Sequence, residues 1–207
     1  MSPVLPPRFY LSGTDTDVGK TVTAAVLCAA LDIAYWKPVQ AGLDTETDSA
    51  RVARLAGVKV YPERYRLKRP ASPHRAAEDE EICIQPTDFT MPEADQLLVE
   101  GAGGLMVPFG PQFWQTDLIQ HLDLPVILVS RSTLGTLNHT FLTLEAIRAR
   151  RLPLHGMILV GPEHHENRTD LQEMGDCPVL AQLPLVDDPD LAFPELVASM
   201  KRQLAGV

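Results

Sequence analysis

The chain has 207 residues, 45% of them hydrophobic and 22% charged, which is ordinary for a soluble protein and long enough to bury a sizeable core. Its formal net charge of −9 argues against nucleic acid as the main partner. An anionic ligand would have to be held by local positive groups, against the overall field.

Residues 8–12 read as a short strand centred on Phe9-Tyr10-Leu11. Gly13-Thr14-Asp15-Thr16-Asp17-Val18-Gly19-Lys20-Thr21 follows, and residues 20–32 read as a helix with an alanine-rich interior. Strand, glycine-bearing turn and helix is the order that a phosphate-binding loop requires. Backbone N–H groups of such a loop point at phosphate oxygens, the lysine adds a point charge, and the last hydroxyl binds Mg²⁺. The spacing departs from the common form: Thr14 holds the place of the first glycine, and Gly13 lies one residue earlier. A surface turn with a stray lysine is the plain alternative.

Residues 33–39 read as a second strand ending in Lys37-Pro38, and 40–47 as loop. Residues 48–56 read as a helix, with Val52, Leu55 and Ala56 on one face, Asp48 as its N-cap and Gly57 as its stop. Residues 58–73 are basic and proline-punctuated without a clean period, and 76–81 are an acidic helical fragment. Residues 95–100 form the next strand, whose run Leu97-Leu98-Val99 suits a sheet covered on both faces. Further strands are expected at 126–129, 157–160 and 178–183, with helices at 113–122, 137–151, 167–174 and 191–204. Strands alternate with helices and no hairpin signal is visible, which argues for an α/β fold: one domain over 1–207, a parallel sheet of at least six strands flanked by helices.

Met1 to Pro7 has no apolar core, so no secretory signal is expected. The longest apolar stretch, 22–31, is too short for a bilayer, so no membrane partner is expected. Cys28, Cys83 and Cys177 are too few and scattered for a disulfide framework or a zinc site, and a reduced cytoplasm fits best.

Ligands of open parallel sheets bind outside the carboxyl ends of the strands. The phosphate loop, Lys37 and Glu100 all fall there. Glu100 suits a Mg²⁺ carboxylate, or is a strand-end glutamate facing water; the glycines after it, Gly101 and Gly103 among them, let backbone approach a ligand. Lys37 is a candidate for a second anion, or an ordinary solvated lysine. Gly135 to Asn138 would open a helix whose free N–H groups suit a carboxylate, or is an ordinary N-terminal turn. His164 and His165 are adjacent and make a poor metal set; His121 and His139 read as structural.

Five segments, in order, resemble those of the dethiobiotin synthetase family. They are Gly13 to Thr21, Trp36-Lys37-Pro38-Val39, Ser72-Pro73-His74, Leu98 to Gly104 and Leu134 to His139. The resemblance runs from residue 9 to about 190. It implies a P-loop nucleoside triphosphate hydrolase-like fold and a seventh strand. It also implies an ATP- and Mg²⁺-dependent reaction of 7,8-diaminononanoate with CO₂ through a phosphorylated carbamate. By resemblance, Lys20 and Lys37 hold the carbamate and Thr16 contacts the substrate. Gly13 to Thr21 with Glu100, Gly101 and Gly103 bind the nucleotide, and Thr21, Asp48 and Glu100 bind the metal. His74 would lie on the diamine side. Gly135 and Asn138 would take the substrate's tail carboxylate from the partner subunit of a homodimer. Two places depart from the family. Ala41 stands in the substrate segment where Ser or Thr is usual, and Val160-Gly161 stands where an asparagine often reads adenine. The rival reading is a partition-type ATPase switch. Such proteins carry a second lysine early in the loop, and Gly13 to Val18 has none.

Overall fold

A computed structural model describes residues 5–206. Among the described residues are eleven strands: β1 (Arg8–Gly13), β2 (Ala34–Trp36), β3 (Val39–Ala41), β4 (Val60–Tyr61), β5 (Tyr65–Leu67), β6 (Leu97–Gly104), β7 (Pro108–Gly110), β8 (Phe113–Trp114), β9 (Val126–Arg131), β10 (Leu154–Val160) and β11 (Val179–Leu183). Seven α-helices accompany them: α1 (Lys20–Leu31), α2 (Asp48–Ala56), α3 (Pro73–Glu78), α4 (Gln115–Leu122), α5 (Thr136–Ala149), α6 (His165–Glu173) and α7 (Pro189–Ala205).

Seven strands form one parallel sheet in the order β11-β10-β9-β1-β6-β2-β4. Alternation along the strands supplies two cores. Tyr10, Leu97, Val99, Val126 and Leu128 point to one face, under Leu118 and Ile119 of α4 and Leu144 and Ile147 of α5. Phe9, Leu11, Leu98, Ile127 and Val129 point to the other, under α1, Val52 of α2, and Phe193 and Leu196 of α7. Each such apolar side chain removed from water stabilises by roughly 1.5–3 kcal/mol, which is why the runs 9–11, 97–99 and 126–129 carry no charged residue.

The chain leaves β1 towards β2 through α1 on one face. It leaves β6 towards β9 through α4 on the other face. The two exits diverge, which opens a crevice at the carboxyl ends of β1 and β6.

Several expected elements differ. The second strand stops at Trp36, because Pro38 has no N–H for the ladder; the chain resumes as β3, which pairs with β5 in a separate two-stranded sheet. Lys37 is therefore in the break between two strands. The seventh strand is β4, two residues long, inside the stretch without a period. A small antiparallel pair, β7 with β8, occupies residues that gave no hairpin signal and takes the first two residues of the expected 113–122 helix. Thr47, not Asp48, caps α2: Thr47 Oγ1 accepts from Ala50 N at 3.2 Å. The carboxylate of Asp48 is thereby released for another task.

Candidate active site

Gly13 is a glycine because an ideal Cβ there would lie 2.8 Å from Val18 Cγ2 and 2.9 Å from the Asp15 carbonyl. The close approach falls at Gly13, so Thr14 needs no glycine, and this explains the shifted spacing. At the other end Asp17 (φ 55) and Gly19 (φ 95) take left-handed backbone, and α1 starts at Lys20. The Lys20 side chain is 7% exposed and its Nζ donates to the Asp15 carbonyl at 2.9 Å, across the loop. Arg131 Nη2 donates to the Asp17 carbonyl at 3.2 Å and ties the loop to the end of β9.

Around Lys37 four elements converge. Its Nζ lies 2.6 Å from Asp48 Oδ2 and 3.2 Å from Glu100 Oε1, and donates to the Gly101 carbonyl at 3.3 Å. Thr21 Oγ1 sits between the same carboxylates, 2.9 Å from Asp48 Oδ1 and 3.0 Å from Glu100 Oε1. Gln40 Oε1 accepts from the Asp48 N–H at 3.2 Å and steadies the start of α2. Lys37 is 4% exposed and Glu100 1%, so this lysine is not solvated and this glutamate does not face water.

The electrostatics follow from these distances. Burial works against the Lys37 ammonium, but Glu100 and Asp48 outweigh it and hold its pKa above the ordinary lysine value. Burial raises the Asp48 carboxyl, yet Lys37 and Thr21 outweigh that and hold it below the ordinary range. Lys20 is pushed down, mainly by burial and further by the like charge of Lys37, against the opposing pull of Glu100.

Thr21, Asp48 and Glu100 fit a magnesium ion. They are three hard oxygen donors around one point, with charge to spare for phosphate oxygens and waters. Among the described residues no group of three or more His, Cys, Asp or Glu stands ready as an all-protein metal site. Two carboxylates and a hydroxyl suit a cation shared with a phosphate.

Tyr35 was not foreseen. Its hydroxyl donates to Glu100 Oε2 at 2.9 Å from a fully buried position, which orients the carboxylate towards Thr21. Tyr35→Phe leaves that oxygen without its partner, at a cost of roughly 1–3 kcal/mol. Orienting bonds to a metal ligand are worth about 10- to 100-fold in metal affinity. The magnesium concentration for half-maximal rate should therefore rise at least tenfold, and the melting temperature without magnesium should fall. An unchanged magnesium titration would remove Tyr35 from this role.

Two cavities meet at this cluster. One, of about 330 Å³, is lined by the loop, Lys20, Thr21, Arg51 and Glu100. The other, of about 410 Å³, is lined by Gln40, Ala41, Pro70, Ser72, Pro73, Ala102 and Val107. Thr16, Lys37, Asp48 and Gly103 line both. Of the Ser72-Pro73-His74 segment, only Ser72 and Pro73 reach the cavity. Gly135, the left-handed N-cap of α5 (φ 92), lines instead a small hollow of about 80 Å³ with Thr14, Asp15 and Arg131. Asn138 is exposed and lines neither large cavity, so one chain does not bring it to Lys37.

At the end of β10 the backbone is already committed. The Val160 carbonyl accepts from Ser132 N at 3.0 Å, Gly161 N donates to the Leu183 carbonyl at 2.9 Å, and the Gly161 carbonyl accepts from Gln182 Nε2 at 3.2 Å. With no free polar group from Val160 or Gly161, a nucleobase beside them would be read weakly. One neutral hydrogen bond is worth roughly 0.5–1.5 kcal/mol, about tenfold at most. CTP and GTP should therefore support turnover with kcat/KM within about tenfold of ATP. Rates with four triphosphates check this; a preference for ATP above about a hundredfold would require a reader elsewhere, with residues 183–188 the first place to look.

A phosphate loop at a sheet crevice, a carboxylate pair beside it and a buried second lysine define a P-loop nucleotide-binding α/β protein. Solved structures share the fold. The ParA family ATPase from Chlorobium tepidum aligns over 97% of this chain and 91% of its own with a TM-score of 0.54 at 13% identity. A putative plasmid partition protein from Borrelia burgdorferi aligns over 98% of both chains with a TM-score of 0.56 at 12% identity. Likeness at that identity concerns the fold alone. Residues 7–191 match the AAA domain family model. The ATP-dependent dethiobiotin synthetase of Agrobacterium fabrum is 48% identical over 181 residues, 86% of this chain and 85% of that protein. Its counterpart in Rhodopseudomonas palustris is 46% identical over 189 residues, 89% of each. The chain belongs to the ATP-dependent dethiobiotin synthetase family.

Proposed function

We propose that this protein closes the cyclic urea of dethiobiotin from 7,8-diaminononanoate, CO₂ and ATP, with residues 1–207 acting as one P-loop synthetase domain. The observation that carries the reading is the meeting of the two cavities at Lys37. The 330 Å³ cavity suits a triphosphate tail, and the 410 Å³ cavity suits a diamine whose reacting end reaches Lys37.

One amine adds to CO₂ and loses a proton, which gives a carbamate. Lys37 and Lys20 bind this anion and orient it towards the loop. A carbamate oxygen attacks the γ-phosphorus, ADP leaves, and a carbamic–phosphoric anhydride remains. The second amine then attacks the anhydride carbon; the C–O bond to phosphate breaks, the amine loses its proton, and inorganic phosphate departs. Negative charge gathers on the transferring phosphoryl, and backbone N–H groups of Gly13 to Thr21 with Lys20 answer it. Thr21, Asp48 and Glu100 would hold Mg²⁺, which neutralises phosphate charge when bound. Thr16 and Gly103 border both reactants. Ala41 leaves one side of the diamine cavity without a hydroxyl. The direct test is incubation with diaminononanoate, bicarbonate, Mg²⁺ and ATP, and detection of dethiobiotin by mass; ATP consumption without it would reject the reading.

The working unit in this proposal is a homodimer. Leu134 is 100% exposed and Leu142 62%, on the turn and helix that carry Gly135 and Asn138. Leu142 borders a further cavity of about 430 Å³ against Thr14 to Thr16. A partner's turn would supply free N–H groups to the substrate's tail carboxylate. Proline cannot adopt the φ of 92 at Gly135, so Gly135→Pro should disable that turn. Mixing it with Lys20→Ala should then restore some activity through hybrid dimers. An active monomer in sedimentation would reject the arrangement. No helix among the described residues is long and apolar enough to cross a membrane. The three cysteines are free, which suits a cytoplasmic location.

A further inference from the structure

β6 does not run evenly beside β1. Leu11 pairs with Glu100, but the next paired residue, Gly13, lies opposite Gly104. Ser12 alone therefore faces Gly101, Ala102 and Gly103, and two extra residues bulge from the sheet. Such a bulge takes backbone polar groups out of the ladder, and inside a protein they need other partners.

One side chain collects them. Gln115 is the first residue of α4 and is 0% exposed. Its Oε1 accepts from Ala102 N at 2.7 Å, and its Nε2 donates to the Gly104 carbonyl at 3.0 Å and to Ser12 Oγ at 3.3 Å. A Cβ on Gly101 would lie 2.6 Å from that Oε1, so only glycine fits under the amide. Gln115 is itself aimed by its surroundings. Its own N–H donates to the Val107 carbonyl at 2.9 Å, and Asp117 Oδ2 accepts from the preceding Trp114 N–H at 2.8 Å.

The bulge touches the groups assigned to the chemistry. Glu100 precedes it. Its Gly101 carbonyl accepts from Lys37 Nζ at 3.3 Å. A Cβ on Gly103 would lie 3.3 Å from Thr16 Oγ1, and one on Gly104 3.4 Å from Asp15 Cα, so its glycine backbone lies against the phosphate loop. We propose that Gln115 is a positioning residue for phosphoryl transfer: it fixes the bulge of β6, and through it the spacing between Lys37, Glu100 and Thr16. The proposal rests on the synthetase reading for its kinetics. Gln115 touches no reacting atom.

Gln115→Met keeps length and volume and removes the amide. Its kcat should fall about 10²-fold, as expected when reacting groups shift by about 1 Å. Nucleotide affinity by calorimetry should stay within about threefold, because the loop remains. Gln115→Glu keeps the acceptor for Ala102 but turns the donor into an oxygen against the Gly104 carbonyl, so its kcat should fall at least as far as that of Gln115→Met. Amide hydrogen exchange at Ala102 should quicken in Gln115→Met, and this readout needs no turnover. A glutamine that only stabilised the fold would lower the active fraction and leave kcat per folded molecule unchanged, and that result overturns the proposal. So does unchanged protection of Ala102, or a Gln115→Glu rate equal to wild type even if Gln115→Met fails to fold. Wild-type protein that forms no dethiobiotin would instead reject the synthetase reading, while exchange at Ala102 still tests the hold on the bulge.

Discussion

Lys20→Ala should lower turnover by about 10²- to 10³-fold, the loss seen when one preorganised donor to a developing oxyanion is removed. Lys20 is held at the mouth of the loop, with Nζ 2.9 Å from the Asp15 carbonyl. That single bond to a neutral carbonyl is readily exchanged for phosphate oxygens. Burial and Lys37 lower its pKa, so the ammonium is less comfortable here than in water and gains when an anion arrives. Its stem also fills space: a Cβ on Gly13 would lie 3.1 Å from Lys20 Cδ. Lys20→Met is therefore the better control, since it keeps the stem and drops the charge. Lys20→Met should melt near wild type, and Lys20→Ala somewhat lower because the stem is lost. A variant retaining more than about a tenth of wild-type rate would show that the charge does not act on the transferring phosphoryl.

The loop, the strand before it and the helix after it were legible because their signals are local. A glycine turn, an apolar run of the right length and an alanine-rich segment each follow from neighbours in sequence. Glu100 was legible for a related reason, as a carboxylate closing an apolar run, although β6 continues past it to Gly104. Its partners were less so. Tyr35 lies in an apolar strand, where a tyrosine reads as core; only the parallel register of β2 with β6 brings its hydroxyl to Glu100. Asp48 looked like a cap because caps and metal ligands draw on the same residue types. Thr47, one position earlier, takes the cap and leaves the carboxylate free. The bulge of β6 and its glutamine could not be read at all. Three glycines after an apolar run say that backbone comes close to something, but not that they stay in the strand as a bulge, and the partner, Gln115, lies on a different element. Short strands such as β4 and β3 were missed because two or three residues hold no period; their pairing is set by the sheet edge and by Pro38.

Lys37→Ala should abolish diamine-dependent turnover, by about 10³-fold or more if it both holds the carbamate and answers charge on the phosphoryl. Lys37 lines both cavities, whereas Lys20 and Thr21 line only the one proposed for the phosphates. Nucleotide binding should therefore survive and diamine binding should be lost, and calorimetry of both ligands on one variant separates the roles. A large loss of nucleotide affinity with normal diamine binding would reverse them. The variant has a second consequence. Without the ammonium, Glu100 and Asp48 face each other with only Thr21 between them, and Glu100 is buried. Removing one partner of a buried ion pair costs roughly 3–5 kcal/mol; Asp48, with its side chain 31% exposed, shares part of its charge with solvent, so the lower end is expected. A divalent cation on the same carboxylates would replace the missing charge. Lys37→Ala should thus melt below wild type without magnesium and recover most of the difference with it. The sign with pH is fixed by the raised pKa. The ammonium's contribution in wild type is complete below the ordinary lysine value of 10.5 and fades only as pH climbs through the higher folded value, so the gap between the two proteins should stay constant across neutral pH. A gap that closes between pH 6 and pH 9 would mean that Lys37 is not the charge holding Asp48 and Glu100 together.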